Sequence, residues 1–478
     1  MTPPAAPPAP GLDDPLALSR AQPEWSAKTP LTRAQSAAVV ALSIALIAAA
    51  AARPWAVGRA FVLAATVFYL LFTLYKLALA RLSVARAAEI RVPPEETAAL
   101  DPATLPVYSV LVPMYREPES LPGLVAALAA MDYPADRRDV QLLLEEDDAV
   151  TRAAADALAL PPGFRITLVP PSFPRTKPKA CNVGLARARG ELLTIYDAED
   201  RPEPDQLRKA VAAFRRLPAE VVCLQCKLNF YNPRQNLLTR WFAAEYASWF
   251  DLSLPGLSAL GGMIPLGGTS NHFRADALRA LLGWDAYNVT EDCDLGIRIR
   301  RRGGRTRMLD STTWEEACSS LPYWIRQRTR WLKGYIQTWL VHMRRPFRLW
   351  RELGAADFVH FQVLIGGIVL SLLINPVFWA MAVAWFGFRR TELMELFPGP
   401  VFLMSAFCLF AGNFTFLYLG AIGCYRRRYH DLVKYALAAP VYWALMSYSA
   451  WRAFGQFFSN PFHWEKTRHG LFRAPPAG

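Results

Sequence analysis

Leu192-Leu193-Thr194-Ile195-Tyr196-Asp197-Ala198-Glu199-Asp200 is an apolar run that ends in a cluster of acids. Its first five residues read as a buried strand, and the acids stand where that strand leaves the sheet. In α/β sheets, ligands bind at that carboxyl end. The pattern recurs at Val140–Leu144, which runs into Glu145-Glu146-Asp147-Asp148. Val107–Val112, Ile166–Val169 and Val221–Leu224 are further short apolar runs, separated by amphipathic stretches such as Ser120–Met131 and Asp205–Arg216. Strands alternating with helices predict an α/β domain with a mostly parallel, Rossmann-like sheet over residues 100–345.

Outside that domain the chain turns apolar. Hydrophobic residues make up 53% of the 478 and charged residues 19%, a balance that points to a part in lipid. Residues 36–52 and 59–80 are nearly uncharged and each about one bilayer long. Joined at Arg53-Pro54-Trp55, they predict a two-helix transmembrane hairpin over 31–81. A buried core hairpin fits less well, because the first span is almost pure Ala, Val, Leu and Ile. Arg81, Arg86 and Arg91 follow, which sets the next segment in the cytoplasm. A C-terminal membrane region over 355–455 is expected to hold about three spans, near 359–386, 399–422 and 432–453, with a cytoplasmic loop at Arg426-Arg427-Arg428. Three full crossings would put the C-terminus outside, so one of the segments with Asn375-Pro376 or Pro440 is read as a re-entrant pair or an interfacial helix.

Residues 234–256 and 320–345 mix Trp, Tyr, Phe and Arg at helical spacing. They read as helices in the membrane interface or, equally, as helices packed on the α/β domain. The Pro- and Ala-rich residues 1–30 are expected to be disordered, and 456–478 to form a cytoplasmic tail. No basic n-region leads into an apolar core and cleavage site, so a cleaved signal peptide is not expected. The net charge of +13 is spread along the chain, which disfavours a nucleic-acid tail and suits a membrane surface or a diphosphate-bearing substrate. Cys223 and Cys226 form a single C-x-x-C without a second pair, and read as strand residues rather than a zinc or redox site.

Several clusters carry chemistry. Asp197, Glu199 and Asp200 offer carboxylate oxygens to a hard cation such as Mg²⁺ or Mn²⁺, which commonly shares its coordination with substrate phosphates. Taken alone, the cluster fits a solvated acidic turn; after a buried strand it favours the cation. Thr290-Glu291-Asp292 begins a helix, with Thr290 as cap, and supplies a carboxylate base. Gln327, Arg330 and Trp331 lie on one amphipathic helix, where an indole can stack on a pyranose and an arginine can fork a diphosphate. By itself, that helix reads more simply as an interfacial helix with a basic face. Lys177 and Lys179 suit phosphate contact at a helix start, and a solvated basic turn fits them as well.

In this order the motifs resemble the processive, membrane-integrated family-2 glycosyltransferases, among them the cellulose, hyaluronan and chitin synthases. Ser109–Glu117 resembles their opening strand, with Pro113, Tyr115 and Glu117 bordering the nucleotide. Glu145–Asp148 falls where paired aspartates hold the uracil, with Glu146 and Asp148 as candidates. Asp197-Ala198-Glu199, with Asp200 beside it, falls on the metal motif. Asp292 falls on the catalytic base, with Thr290 and Glu291 in the same motif. Gln327, Arg330 and Trp331 match the motif that shapes the acceptor site and touches the diphosphate. Gly268, Thr269 and Asn271 resemble the segment that lines the acceptor terminus. Trp464, Lys466 and Thr467 resemble the gating loop, which is cytoplasmic in that family.

The resemblance implies a cytoplasmic GT-A α/β domain on a multi-pass transmembrane helical bundle of the inner or plasma membrane. It implies a UDP-sugar donor, Mg²⁺ or Mn²⁺, and inverting transfer to a glycan that grows as a β-linked polysaccharide and is passed across the bilayer. A glycolipid acceptor is the alternative, as in ceramide glucosyltransferases, and a non-catalytic membrane receptor or scaffold is a third reading. No nucleic-acid partner is expected, and no motif names a secretion-system partner.

Overall fold

The computed structural model describes residues 14–85 and 88–464. Its sheet is built from β1 (Tyr108–Met114), β2 (Arg138–Glu145), β3 (Phe164–Val169), β4 (Leu192–Ile195), β5 (Arg201–Pro202), β6 (Val221–Phe230), β7 (Asn271–Arg274) and β8 (Arg305–Glu315). They lie in the order β3-β2-β1-β4-β7-β6-β8-β5. The half from β3 to β4 is parallel, as the alternation of strands and helices requires. The other half is mixed: β7 runs against both β4 and β6, and β5 against β8. The expectation of a mostly parallel sheet therefore holds for one half. The chain enters β7 from the carboxyl end of β4, opposite Thr194 at His272, and so must run back down the sheet.

Alternation along the strands separates two cores. Val110, Val112 and Met114 of β1 join Val140, Leu142 and Leu144 of β2 on one face. Leu111, Leu143, Leu193 and Ile195 face the other way. That second core does not end at the α/β domain. It runs on through Phe242 and Leu257, Trp324 of the helix Leu321–His342, and Leu364 and Tyr442 of the C-terminal helices.

Among the described residues, four helices are long and apolar enough to cross a membrane: Arg33–Ala52, Pro54–Ala85, Pro346–Phe386 and Gly399–Arg426. The third C-terminal span expected near 432–453 is not among them. The helix found there, Ala439–Ser459, buries Tyr442, Ser447, Ser449 and Ala453, and Arg452 donates to Thr329 Oγ1 of the helix Leu321–His342 at 3.2 Å. Its polar face is used for packing, which is why it lacks the apolar character of a span. The two aromatic stretches are the helices Leu237–Ser248 and Leu321–His342. The basic loop after Gly399–Arg426 docks on the α/β domain: Arg427 reaches Asp251 Oδ2 and Thr312 Oγ1, each at 2.8 Å.

The N-terminal expectation is corrected for residues 14–30. Trp25 is buried beneath the guanidinium groups of Arg301 and Arg302, 4.1 and 4.8 Å from its ring. Ser26 Oγ and the Ala27 N–H donate to the Asp285 carboxylate at 2.8 and 2.5 Å. A Pro- and Ala-rich composition conceals these few anchors. Residues 1–13 lie outside the described residues, as do Lys466 and Thr467.

One joint sets the angle between the two motif-bearing helices. Asp294, on the helix Glu291–Arg301, is fully buried; Arg298 Nε donates to it at 2.7 Å and His342 Nε2 at 2.9 Å. Arg298 also donates to the carbonyls of Leu281 and Gly283 at 2.9 and 2.8 Å. Burial pushes the Asp294 pKa up, but the Arg298 charge and the His342 bond outweigh it and hold it below the ordinary value. Asp294→Ala would leave Arg298 buried without a counter-charge. The expected loss is about 3–5 kcal/mol, read as a lower melting temperature in detergent. Because the folded pKa is the depressed one, this contribution is complete above about pH 4 and is lost on further acidification. Wild type and variant therefore converge in stability as the pH falls below that point.

Candidate active site

A cavity of about 660 Å³ opens at the carboxyl ends of the strands and continues between the apolar helices. Pro113, Tyr115 and Glu117 reach it from β1 and the turn beyond, Asp197 and Glu199 from the turn after β4, and Glu315 from the end of β8. Lys177, Gly268, Thr269, Thr290, Glu291 and Asp292 form its middle. The helix Leu321–His342 lays Gln327, Arg330 and Trp331 along one wall, and Trp464 covers part of the same end. Sequence positions more than three hundred residues apart thus meet on one surface.

Two basic groups sit among the acids. Lys177 Nζ lies 2.5 Å from Asp197 Oδ1 and donates to the Gly268 carbonyl at 2.7 Å. Burial pulls its pKa down, but Asp197 and Glu291 outweigh that and hold it above the ordinary lysine value. Arg330 donates from Nη1 to the Val289 carbonyl at 3.2 Å, and its guanidinium lies 4.3 Å from the Trp464 ring. Burial lowers its pKa, against the pull of Glu291 and Asp292.

Burial raises the proton affinity of both acids of the adjacent pair. Glu291 is pushed up to about 8 by burial and by Asp292. Asp292 is raised by burial, against the Cys293 N–H, which its Oδ1 accepts at 2.7 Å, and against Lys177. A half-buried carboxylate of raised affinity, open to the cavity, is suited to accept a proton. Space around it is tight: a side chain at Gly268 would start 3.3 Å from Asp292 Oδ2 and 3.7 Å from Lys177 Nζ.

The acids after β4 fit a divalent cation in part. Glu199, Asp200 and Glu315 are pushed well above the ordinary carboxyl range by burial and then by neighbouring carboxylates, Asp197 among them in each case, the crowding that a cation relieves. Asp197 and Glu199 face the cavity. Asp200 does not: its Oδ2 accepts the Asp197 N–H at 2.7 Å and the Thr269 hydroxyl, and its Oδ1 is buried without a partner among the described residues. Among the described residues no three acid, histidine or cysteine side chains converge at ligand spacing. Asp197 and Glu199 would therefore share such a cation with oxygens of the donor.

Four other expected site residues are placed differently. Glu146 points to solvent, and the cavity acid of that run is Glu145. Asp148 caps the helix Ala149–Asp156 through the Thr151 N–H at 3.2 Å and accepts the Arg116 N–H at 2.5 Å. It shapes the turn carrying Tyr115 and Glu117 rather than lining the cavity. Lys179 is buried on Glu145 Oε2 at 2.9 Å. Asn271 begins β7 and donates to the Gly267 carbonyl at 2.7 Å, which braces the Gly268 turn from below.

Sequence reasoning missed the support behind Trp331. Arg328, inside the same motif, forks Glu245 and lies 4.7 Å from the Trp331 ring. Tyr442 of the C-terminal helix completes this group by donating to Glu245 Oε2 at 2.5 Å. Arginine and glutamate on two separate aromatic helices were the available signal. Gly334 was missed as well: a Cβ there would fall 2.3 Å from Thr290 Oγ1, so glycine lets the helix Leu321–His342 touch the start of Thr290-Glu291-Asp292.

The chain is similar to several known proteins. Residues 106–334 match the family model described as "Glycosyltransferase like family 2". The chain is 26% identical over 298 residues to the beta-monoglucosyldiacylglycerol synthase of Synechocystis sp., covering 60% of this chain and 61% of that protein. It is 24% identical over 257 residues to the probable glucomannan 4-beta-mannosyltransferase 1 of Arabidopsis thaliana, covering 50% of this chain and 45% of that one. The chain thus spans about three-fifths or less of the length of these relatives. Among solved structures it is similar to a mannosyltransferase from Pyrobaculum calidifontis in complex with GDP-Man and Mn²⁺, with a TM-score of 0.43 and 19% identity over 73% of this chain and 98% of that one. Residues 106–334 are thus similar to glycosyltransferase family 2, and their sheet is GT-A-like.

Proposed function

We propose that the protein transfers a sugar from a UDP-sugar, with inversion, to an acceptor lying in the cavity, and that the acceptor is a growing β-linked polysaccharide. One observation carries this reading: a single cavity joins Asp292 to the space between the apolar helices. An acceptor that must stay near lipid while it reacts has a continuous path there.

In this reading the donor enters over Pro113, Tyr115 and Glu117. Lys177 and Arg330 offset the charge of its diphosphate. A divalent cation on Asp197 and Glu199 would supply Lewis-acid neutralisation of the leaving group. Asp292 takes the proton of the attacking hydroxyl, which approaches the anomeric carbon opposite the departing UDP. Trp331, backed by Arg328, offers its ring to the acceptor sugar. The walls formed by Leu321–His342 and Trp464 limit water, which would otherwise compete as acceptor.

A lipid acceptor is the second reading, favoured by the apolar side chains Phe72, Ile368, Leu372 and Phe416 at the far end of the cavity. In this reading the α/β domain lies on the cytoplasmic side, a topology supported by Arg81 and the Arg426–Arg428 loop at the ends of two of the apolar helices.

Purified protein in nanodiscs is expected to release UDP from one UDP-sugar. Asp292→Asn lowers that rate by about 10²–10⁴-fold while the melting temperature is retained, and an unchanged rate would remove Asp292 from the chemistry. EDTA is expected to stop UDP release, and Mn²⁺ or Mg²⁺ to restore it. Gly268→Ala, which crowds Asp292 and Lys177, is expected to lower kcat in a folded protein. Sizing the product then separates a polymer from a glycolipid.

A further inference from the structure

The far end of the cavity holds a cation that the proposed chemistry does not use. Lys76 lines it from the helix Pro54–Ala85. Its ammonium lies 4.8 Å from the Trp249 ring and 5.9 Å from that of Phe72. Among the described residues it has no hydrogen bond or ion pair. The acid whose field reaches it, Glu245, is already bound by Arg328 and Tyr442. A cation facing an enclosed, largely apolar space is costly unless a counter-charge enters that space.

Its depth says where such a charge would come from. Lys76 stands twenty-two residues after Pro54 on one helix, about 33 Å along the axis. The apolar core of a bilayer is about 30 Å thick. With Pro54 at one edge, Lys76 is at the level of the opposite headgroups. Trp249 beside it is the residue type that favours that level. The neighbouring cavity wall combines apolar Phe72, Ile368, Phe416 and Trp443 with the polar Ser371 and Asn413.

We infer that this end of the cavity binds the phosphate of an anionic phospholipid, held by Lys76 beneath Trp249, with its acyl chains between the apolar helices. The site goes beyond the transferase reading and does not depend on it, because it is defined in the protein without donor.

The test is lipid retention by the full-length protein in detergent, followed by native mass spectrometry. Dioleoyl phosphatidylglycerol competes with dioleoyl phosphatidylcholine at equal concentration, in the absence of any nucleotide sugar. Wild type is expected to retain the anionic lipid with a preference of about fivefold or more, the scale of one basic residue at a charged headgroup. Lys76→Gln loses that preference and Lys76→Arg keeps it. Lys434→Gln, which removes an exposed basic charge, also keeps it. Wild type without preference, or Lys76→Gln with full preference, overturns the proposal whatever the variants' yield. Displacement of the lipid by millimolar inorganic phosphate alone also overturns it, in favour of a free-phosphate site. UDP release that still depends on Asp292 in a protein without lipid preference would leave the transferase reading standing while this one falls.

Discussion

The buried Asp294 carboxylate, shared between Arg298 and His342, is the interaction on which the site's geometry rests. It ties the helix that begins at Thr290 to the helix that carries Gln327, Arg330 and Trp331. A buried ion pair adds little net stability over an apolar contact, but it tolerates little displacement. Here that property fixes Asp292 and Arg330 relative to each other, although they come from helices that share no local sequence. Gly334 contributes to the same joint sterically, because a larger residue would strike Thr290. Asn288 adds to it by donating to Thr338 Oγ1 at 2.9 Å.

Charge balance explains why the acids stand where they do. Carboxylates outnumber cations along the cavity wall, and several are held with raised proton affinity by burial and mutual repulsion. A nucleoside diphosphate adds negative charge to this surface. Lys177 is already engaged by Asp197, and Arg330 faces both members of the Glu291–Asp292 pair. Two cations so committed would offset only part of the added charge, and Asp197 and Glu199 are the residues that would hold a divalent ion to offset the rest. Burial, against Lys177 and Arg330, raises the proton affinity of Asp292, the direction that suits a proton acceptor.

Much of this was readable from the chain because strands ending in acids and a helix opening with Thr-Glu-Asp are local patterns. Asp197, Asp292, Arg330 and Trp331 each follow from such a pattern, and the fold brings them to one cavity. What escaped depends on partners distant in sequence. In Glu145–Asp148 four consecutive acids straddle the end of β2, and the turn decides which faces inward; Glu145 does so and Glu146 does not. β7 and β8 were missed because Asn271-His272-Phe273-Arg274 and the Arg- and Thr-rich β8 lack apolar runs. Several of their polar groups pair inside: His272 Nδ1 lies 2.6 Å from the Tyr108 hydroxyl, and Thr313 Oγ1 lies 2.7 Å from Ser270 Oγ, just before β7. Averaged hydropathy also hid Lys76 inside the apolar run 59–80 and the polar face of the helix Ala439–Ser459, which packs on a neighbour.

The shared core makes the α/β domain and the apolar bundle parts of one unit. One face of the sheet is continuous with the aromatic helices and with Leu364, Tyr442 and Ala453 of the C-terminal region. Arg427 closes the boundary from the other side, onto Asp251 and Thr312. An α/β domain cut away near residue 345 would leave Phe242, Trp324 and Leu332 facing water, a loss of about 2 kcal/mol for each large side chain exposed. The same contacts give the cavity its second half, since its floor is the face of the domain and its far walls are the apolar helices. The site is therefore formed at the junction of the α/β domain with the apolar helices, and neither part encloses Asp292 and the far walls by itself.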